Sequence, residues 1–220
     1  MGSVEFPILN REVHGRRLAY LDSAATTQKP QRVIDRLTRF YELENANVHR
    51  GVHHLSEQAT LAFDAARANV AAYLGVQPDE VIFTKGCTEA INLVAASWGR
   101  TLTANDRILV SVLEHHANLV PWQQTAAQVE PIPLTPEGDL DLNALSGLLD
   151  ERVKLVCVTE LSNAIGTRPP LRKISEIVHG AGTLLLVEGA QGLSHGPSNL
   201  RELDADFYAM SAHKSYGPMG

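Results

Sequence analysis

The sequence has little cysteine, few aromatic residues and no excess of positive charge, and long hydrophobic runs are missing. Its two cysteines, Cys87 and Cys157, are too few and too far apart in 220 residues for a disulfide framework or a cysteine-based zinc site. Nineteen Lys and Arg against 25 Asp and Glu give a net charge of −6, which argues against a nucleic-acid surface or a polybasic membrane anchor. No apolar run approaches the roughly 18 residues that a membrane span needs. We therefore expect binding to neither nucleic acid nor membranes.

We expect no signal peptide at the amino terminus. Its first residues, Met1–Phe6, contain no basic region followed by an apolar stretch, and Phe6 stands where a myristoylation signal has Ser or Thr. The composition, 44% hydrophobic and 20% charged, is that of a globular protein with a sizeable core. We expect a soluble, cytoplasmic, acidic protein of one large domain or two small ones.

From residue 81 onward, short aliphatic runs alternate with amphipathic segments. The run Leu184–Val187 is continuously apolar, as expected for a strand that is buried on both faces. The pattern predicts an α/β fold with a mainly parallel sheet and helices on both faces. The predicted strands are Val81–Thr84, Arg107–Val112, Val129–Leu134, Lys154–Thr159, Thr183–Val187 and Phe207–Met210. The predicted helices are Thr88–Trp98, Ala117–Gln128, Asp141–Leu149 and Leu171–Gly180.

The N-terminal part has a different pattern and predicts a helical arm ahead of the sheet. We expect the arm and its helix to occupy residues 1–55, and the large domain to occupy residues 56–220. The predicted local features are a strand-like piece at Leu18–Leu21, a helix that begins at Pro30 and runs to about Leu43, a polar loop over Asn45–Leu55, and a helix that runs from an N-cap at Ser56 to about Leu74.

Polar or ionisable residues follow five of the predicted strands. In an open α/β sheet, ligands bind beyond the carboxyl ends of the strands, so these residues are expected to converge at one edge. They are Lys85–Thr88, Glu114–His116, Ser162 with Asn163, Glu188–Gln191, and Ser211–Lys214. This convergence makes the edge the candidate functional site.

Within that set, the residues alone leave alternatives open. The Gly86–Thr88 turn before a helix suits an anion, although, taken alone, a helix cap is the better explanation of this turn. Lys214, beside Ser211 and His213, is either a solvated loop residue or an amine held in a pocket and suited to Schiff-base formation.

Glu188 and the paired histidines also have more than one interpretation. Glu188 ends the most apolar strand and needs a partner, which could be a protonated cofactor ring nitrogen or a neighbouring arginine. His115 and His116 lack the spacing of metal ligands, so an aromatic lid on a ring or an ordinary hydrogen-bonded histidine fits better, and we expect no metal site. Cys157 lies within a predicted strand and is expected in the core.

Seven segments together match one known family in their order along the chain. They are Tyr20–Ala25, Asn47–Gly51, Gly86–Val94, Glu114–Trp122, Ser162–Asn163, Gly189–Gln191 and Ser211–Pro218. The patterns E-H-H-A-N-x-V-P-W and S-x-H-K-x-Y-G-P are highly specific. From about residue 7 onward the sequence resembles the class V aminotransferase-like, fold-type I enzymes that use pyridoxal phosphate (PLP). Among them it is most similar to Suf-type cysteine desulfurases and selenocysteine lyases, and it covers their large domain only.

The resemblance implies a role for each matching residue. Lys214 would bind PLP as a Schiff base and move protons at the substrate Cα, and His115 would stack on the pyridine ring. Glu188 would pair with the ring nitrogen, and Gln191 with the ring hydroxyl oxygen. The residues implied in cofactor binding are Gly86, Cys87, Thr88, His115, Asn163, Glu188, Gln191, Ser211, His213 and Lys214. Those implied in the substrate pocket are Ala24, Ala25, His49 and Asn163.

The implied reaction removes sulfur from L-cysteine, or selenium from L-selenocysteine, and leaves L-alanine. The sulfur would pass as an enzyme persulfide to an acceptor protein for iron–sulfur cluster assembly, in an enzyme that is a homodimer. Two alternatives remain from the sequence: a non-catalytic module that only oligomerises, and another class V enzyme such as an aminotransferase or epimerase.

The sequence departs from the family's pattern at three places. Glu188 replaces an Asp, which adds roughly 1.3–1.5 Å of reach in a site where about 1 Å of misplacement is costly. Cys87 stands where Thr is usual. The chain stops at Gly220, before the further strand and the smaller domain that carry the persulfide-forming cysteine and a substrate-binding arginine. We therefore expect little or no desulfurase activity from these 220 residues alone.

Overall fold

The computed structural model describes residues 5–196 and 199–219. It forms two compact units. The N-terminal unit comprises the chain up to Phe83 together with Ala212–Met219, and the sheet unit comprises Thr84–Ser211. The expected boundary between residues 55 and 56 does not coincide with this division, since it falls near the start of a long helix.

The N-terminal unit contains a small hairpin and two main helices. The two-residue strands β1 (Glu12–Val13) and β2 (Arg16–Arg17) are antiparallel. The turn between them places His14 and Gly15 at φ values of 53° and 71°, the left-handed pair that a tight hairpin turn requires. Helix α1 spans Gln31–Arg39 and continues as a π-helical turn over Phe40–Glu44; helix α2 spans His54–Leu74.

The sheet unit contains five parallel strands joined by helices. In chain order its elements are α3 (Cys87–Ser97), β3 (Arg107–Ser111), α4 (Val120–Gln123), β4 (Gln128–Ile132), α5 (Leu142–Leu148), β5 (Val153–Thr159), α6 (Leu171–Gly180), β6 (Leu184–Glu188), α7 (Leu200–Leu203) and β7 (Phe207–Ala209). The strand order across the sheet is β4-β3-β5-β6-β7. Every neighbouring pair is parallel, so all five carboxyl ends lie along one edge.

Helices cover both faces of this sheet, as the sequence predicts. Alternate residues of β5 point to opposite sides: Leu155 and Cys157 join a core with α3, whereas Val156 and Val158 join a core with α5 and α6. All four side chains are fully buried. The continuous aliphatic character of these strands follows directly from this two-sided burial.

The predicted strand at Val81–Thr84 is wrong, because none of the described strands pairs with it. The Val81 carbonyl instead accepts a hydrogen bond from the Arg67 guanidinium. That guanidinium also lies over the rings of Phe63 and Phe83, 5.1 Å from each centroid. A β-prone segment becomes a strand only where a partner meets its backbone hydrogen bonds, and α2 supplies other contacts here.

Three further local predictions are corrected. The expected helix Ala117–Gln128 is reduced to a 3₁₀ turn at His116–Asn118 and the short α4, because Pro121 is tolerated only in a first helical turn. Leu18–Leu21 is not a strand, and the hairpin lies before it.

The N-cap of α2 is His53 rather than Ser56. The Ser56 hydroxyl is occupied elsewhere: it donates to the Asn47 carbonyl at 2.5 Å and accepts from the Gly51 N–H at 3.0 Å. No helix in the described part of the chain, including the 21-residue α2, is both long enough and apolar enough to cross a membrane.

Candidate active site

The carboxyl edge of the sheet gathers eight of the predicted site residues in the sheet unit. They are Gly86, Cys87 and Thr88 at the start of α3, His115 after β3, Asn163 after β5, Glu188 and Gln191 at the end of β6, and Ser211 after β7. Parallel strands deliver them to one edge because all five strands run the same way. Four of the five predicted strands therefore end at this edge, whereas the segment before α3 is not a strand.

The N-terminus of α3 lies beside the hydroxyl group of Ser211. Gly86 precedes the helix with a φ of 149°, which favours glycine, and a Cβ there would lie 3.3 Å from the Ser211 hydroxyl. The Cys87 N–H donates to Ser211 Oγ at 3.0 Å, which leaves the hydroxyl proton of Ser211 to donate elsewhere. Thr88 is exposed in the first turn. These hydroxyls and the helix dipole are suited to binding a phosphate group.

Glu188 is a buried carboxyl group held by uncharged donors. Its Oε2 accepts from the Thr159 hydroxyl at 3.0 Å, and its Oε1 accepts from the Ala190 N–H at 3.2 Å and the Cys87 thiol at 3.3 Å. Only 5% of Glu188 is exposed. No arginine or lysine in the described residues forms an ion pair with it, so the arginine alternative is not what the structure contains.

A second carboxyl group, that of Glu114, lies close to Glu188. Its Oε1 accepts from the Thr159 N–H at 2.6 Å, and its Oε2 from the Asn118 side-chain amide at 2.7 Å. Burial of the carboxyl group raises the pKa of Glu114 to about 8, with a smaller contribution from the nearby charge of Glu188. Of the two carboxyl groups, that of Glu114 therefore keeps its proton at neutral pH.

His115 caps the turn that follows β3. Its Nδ1 accepts from the Ala117 N–H at 3.2 Å, and its ring lies 4.0 Å from that of His116 at a tilt of 38°. In the described part of the chain, no cluster of three or more His, Cys, Asp or Glu side chains could hold a metal ion. Nearby, Asn163 is exposed and Gln191 is buried.

The remaining predicted residues belong to the N-terminal unit. Ala24 and Ala25 lie in an exposed turn, and His49 adopts a left-handed φ of 65° in a second turn. His213 and Lys214 lie in a 3₁₀ turn at Ala212–Lys214. Among the described residues, none makes a hydrogen bond or ion pair with the half-buried Lys214 ammonium group.

The backbone immediately before Lys214 is held by the arm. The His213 carbonyl accepts from the Thr27 N–H at 3.0 Å, the Thr27 hydroxyl at 2.9 Å and Lys29 Nζ at 2.7 Å. Burial lowers the pKa of His213, and the charges of Lys214 and Lys29 lower it further. Burial likewise lowers the pKa of Lys29.

Sequence reasoning missed the residues that hold the predicted site residues within each unit. They are Thr159, Asn118 and Trp122 in the sheet unit, and Thr27 and Lys29 in the N-terminal unit. The Trp122 indole N–H donates to the Asn118 carbonyl oxygen at 3.1 Å, and both residues are fully buried. Asn118 and Trp122 lie in the E-H-H-A-N-x-V-P-W pattern, and their spacing of four could have suggested contact. Thr159 and Lys29 carry no local signal, because their partners are distant in sequence.

Comparison with known proteins agrees with this geometry. Residues 19–220 match the family Aminotransferase class-V. A probable cysteine desulfurase of Vibrio cholerae is 49% identical over 222 residues, covering 98% of this chain and 55% of that protein. A cysteine desulfurase of Klebsiella pneumoniae is 48% identical, with the same coverage of both chains.

Solved structures give the same result. The cysteine desulfurase CsdA of Escherichia coli superposes with a TM-score of 0.82 and 42% identity, covering 91% of this chain and 52% of that one. The apo cysteine desulfurase of Thermococcus onnurineus NA1 gives 0.89 and 34%, with coverages of 100% and 56%. The chain thus spans about half the length of the relatives it matches.

Proposed function

Because the chain belongs to the class V aminotransferase family, we propose that it is the PLP-binding large domain of a cysteine desulfurase. Support comes from relatives called cysteine desulfurases, which match 98% of the chain at 47–49% identity. The observation that carries the proposal is the buried Glu188 carboxyl at the end of β6, held by three uncharged donors and no described cation. A buried carboxylate of this kind is suited to pair with a protonated ring nitrogen.

The residues present fit PLP chemically. The positive end of the α3 dipole, the Thr88 hydroxyl and the Ser211 hydroxyl proton suit a phosphate group, and Lys214 supplies an amine with no described hydrogen-bond or ion-pair partner. When bound, PLP acts as an electron sink for the Cα of an amino acid, provided that its ring nitrogen stays protonated. Glu188 would favour that protonated form by its negative charge.

The other roles follow the family's pattern residue by residue. Lys214 would hold the cofactor through Nζ and move a proton at the substrate Cα, and His115 would stack on the cofactor ring. Gln191 would donate to the ring hydroxyl oxygen, and Asn163 would lie near the substrate carboxylate. His213 would contribute to phosphate binding, and Ala24, Ala25 and His49 to the substrate pocket.

Neither cysteine of this chain suits the persulfide step. Cys87 and Cys157 are 5% and 0% exposed, and burial raises the pKa of Cys157 well above its ordinary value. In the proposal, the thiol that accepts sulfur from L-cysteine lies outside these 220 residues. A homodimer, a cytoplasmic location and transfer of sulfur to an acceptor protein for iron–sulfur cluster assembly complete the proposed role.

A PLP titration tests the proposal. We predict that the 220-residue chain binds about one PLP per chain and develops the visible absorption band of a lysine-bound cofactor. Lys214→Ala should abolish that band, because no other amine occupies the same place in the family's pattern. The matched control is Lys173→Ala, which removes an exposed lysine of α6 and should leave the band unchanged.

Two outcomes would reject parts of the proposal. Absence of PLP uptake by a folded chain, together with stable oligomers in native mass spectrometry, would favour the non-catalytic module. A band that survives Lys214→Ala would remove Lys214 from its proposed role. Transamination of L-cysteine by the PLP-loaded chain, without any sulfide release by the longer protein, would favour another class V chemistry.

A further inference from the structure

Thr159 is the last residue of β5 and lies at the centre of the carboxyl edge. Its strand is the middle strand of the sheet, between β3 and β6, and only 1% of the residue is exposed. It contacts both buried carboxyl groups of the site. Its backbone N–H donates to Glu114 Oε1 at 2.6 Å, and its hydroxyl donates to Glu188 Oε2 at 3.0 Å.

Each of these two carboxyl groups has further fixed contacts. Glu114 Oε2 accepts from Asn118, which is itself held by the Trp122 indole. Glu114 directly precedes His115, so these contacts also fix the start of the segment that carries the His115 ring. Glu188 Oε1 accepts from Ala190 and Cys87, and the Cys87 N–H in turn donates to Ser211 Oγ. Thr159 therefore connects the hydrogen-bonded residues around Glu114 with those around Glu188.

The Thr159 hydroxyl has one proton and more than one acceptor within reach. The Leu161 carbonyl lies at 3.1 Å and the Glu188 carbonyl at 3.5 Å, against 3.0 Å for the Glu188 carboxyl oxygen. A hydrogen bond to a carboxylate is roughly twice as strong as one to a neutral carbonyl. The Thr159 hydroxyl therefore donates to the Glu188 carboxylate in preference to the two carbonyls. Of the two side-chain donors to Glu188, the Thr159 hydroxyl is stronger than the Cys87 thiol, since a thiol donates weakly.

We propose that Thr159 is a positioning residue that fixes the position of the Glu188 carboxylate relative to the Glu114–His115 segment. The inference rests on the proposed function, because it assigns Thr159 the task of aiming two groups that would contact PLP. Its hydroxyl acts on Glu188, and its backbone N–H acts on Glu114. Thr159 itself needs no contact with the cofactor.

Three variants separate this role from a general effect on folding. Thr159→Val removes the hydroxyl, with its contacts to the Glu188 carboxyl and the Leu161 carbonyl, but keeps the side-chain shape and the backbone N–H that donates to Glu114. Thr159→Ser keeps the hydroxyl. The matched control is Thr183→Val, because Thr183 is also buried in the sheet unit and its hydroxyl donates, among the described residues, to the Val153 carbonyl at 2.9 Å and not to a carboxyl group.

The first measurement needs no cofactor. In the apo chain labelled with ¹³C at the glutamate carboxyl carbons, the Glu114 and Glu188 signals are assigned with Glu114→Gln and Glu188→Gln. Thr159→Val should shift the Glu188 signal more than the Glu114 signal, whereas Thr159→Ser and Thr183→Val should move neither appreciably. A Glu188 signal unchanged in Thr159→Val, or shifted equally by Thr183→Val, would overturn the proposal.

The second measurement is PLP affinity of the same folded variants, with thermal melting as the check on folding. Thr159→Val should weaken PLP binding at least about fivefold, as loss of a charge-assisted hydrogen bond implies, and Thr159→Ser should restore it. Equal affinity of Thr159→Val and the unaltered chain would overturn the link to the cofactor. A chain that binds no PLP would reject the proposed function instead, while the carboxyl signals would still decide whether Thr159 positions Glu188.

Discussion

At the scale of single residues, the site depends on two carboxyl groups, those of Glu114 and Glu188, that accept hydrogen bonds from the same residue, Thr159. Glu188 is recognisable from the sequence because it ends the most apolar strand, where a carboxylate requires partners. Its actual partners, Thr159 and Cys87, come from β5 and the start of α3, so no local pattern could identify them. Cys87 and Glu188 are also two of the three departures from the family's pattern, and they contact each other at 3.3 Å.

The raised pKa of Glu114 predicts a pH dependence of stability. The folded chain keeps this proton up to about pH 8, whereas the unfolded chain loses it near the ordinary value of 4.5. The folded state therefore binds more protons between these values, and the free energy of unfolding should fall as pH rises through this window. Glu114→Gln should make that dependence shallower, measured by urea unfolding at several pH values between about 5 and 8.

The comparison uses the slope with pH, because the new amide also meets Asn118 and can change stability at every pH. Asp206 and Asp204 raise the pKa of His179, which adds a fall in stability of the same sign above about pH 6.5 in both proteins. Equal slopes for Glu114→Gln and the unaltered chain would show that Glu114 titrates normally.

At the scale of elements, the sequence predicted the strands of the sheet better than its helices. Strands β3, β5 and β6 are buried on both faces, so most of their consecutive residues are aliphatic and the sequence shows an uninterrupted apolar run. Prediction failed at Val81–Thr84, where strand formation depends on a distant partner, and at Ala117–Gln128, where Pro121 interrupts the helix. These errors concern contacts and backbone restrictions that hydrophobic periodicity does not report.

The end of β6 should be intolerant of any side chain at Gly189. A Cβ there would lie 2.1 Å from the ring of Tyr208, whose hydroxyl donates to Glu160 at 2.5 Å and so resists displacement. We predict that Gly189→Ala lowers the free energy of unfolding by about 1–3 kcal/mol, measured by denaturant unfolding.

The matched control for this substitution is Gly147→Ala. Gly147 lies in α5, is exposed, and would place its Cβ more than 4 Å from other atoms. Alanine there should raise stability by about 0.5–1 kcal/mol, because glycine in a helix carries an entropic cost. A neutral Gly189→Ala beside a stabilising Gly147→Ala would contradict the close approach of Tyr208 to β6.

At the scale of the whole molecule, sequence reasoning identified the edge of the sheet where the site lies but not the network that holds it. The edge is predictable because parallel strands share one direction, and residues such as Ser211 and Gln191 follow strands in the sequence. In the sheet unit the supporting contacts join residues 114 and 159, and 159 and 188; in the N-terminal unit a contact joins residues 29 and 213. Their sequence separations, from 29 to 184 residues, put them beyond any local pattern.

The most direct test of the account is to find which lysine carries PLP. The chain has five lysines, Lys29, Lys85, Lys154, Lys173 and Lys214, and borohydride reduction of the PLP-loaded chain fixes the cofactor on the one that binds it. Peptide mass spectrometry then identifies the modified lysine. We predict one modification, on the peptide that contains Lys214. Modification spread over several lysines, or concentrated on any of the other four, would contradict it.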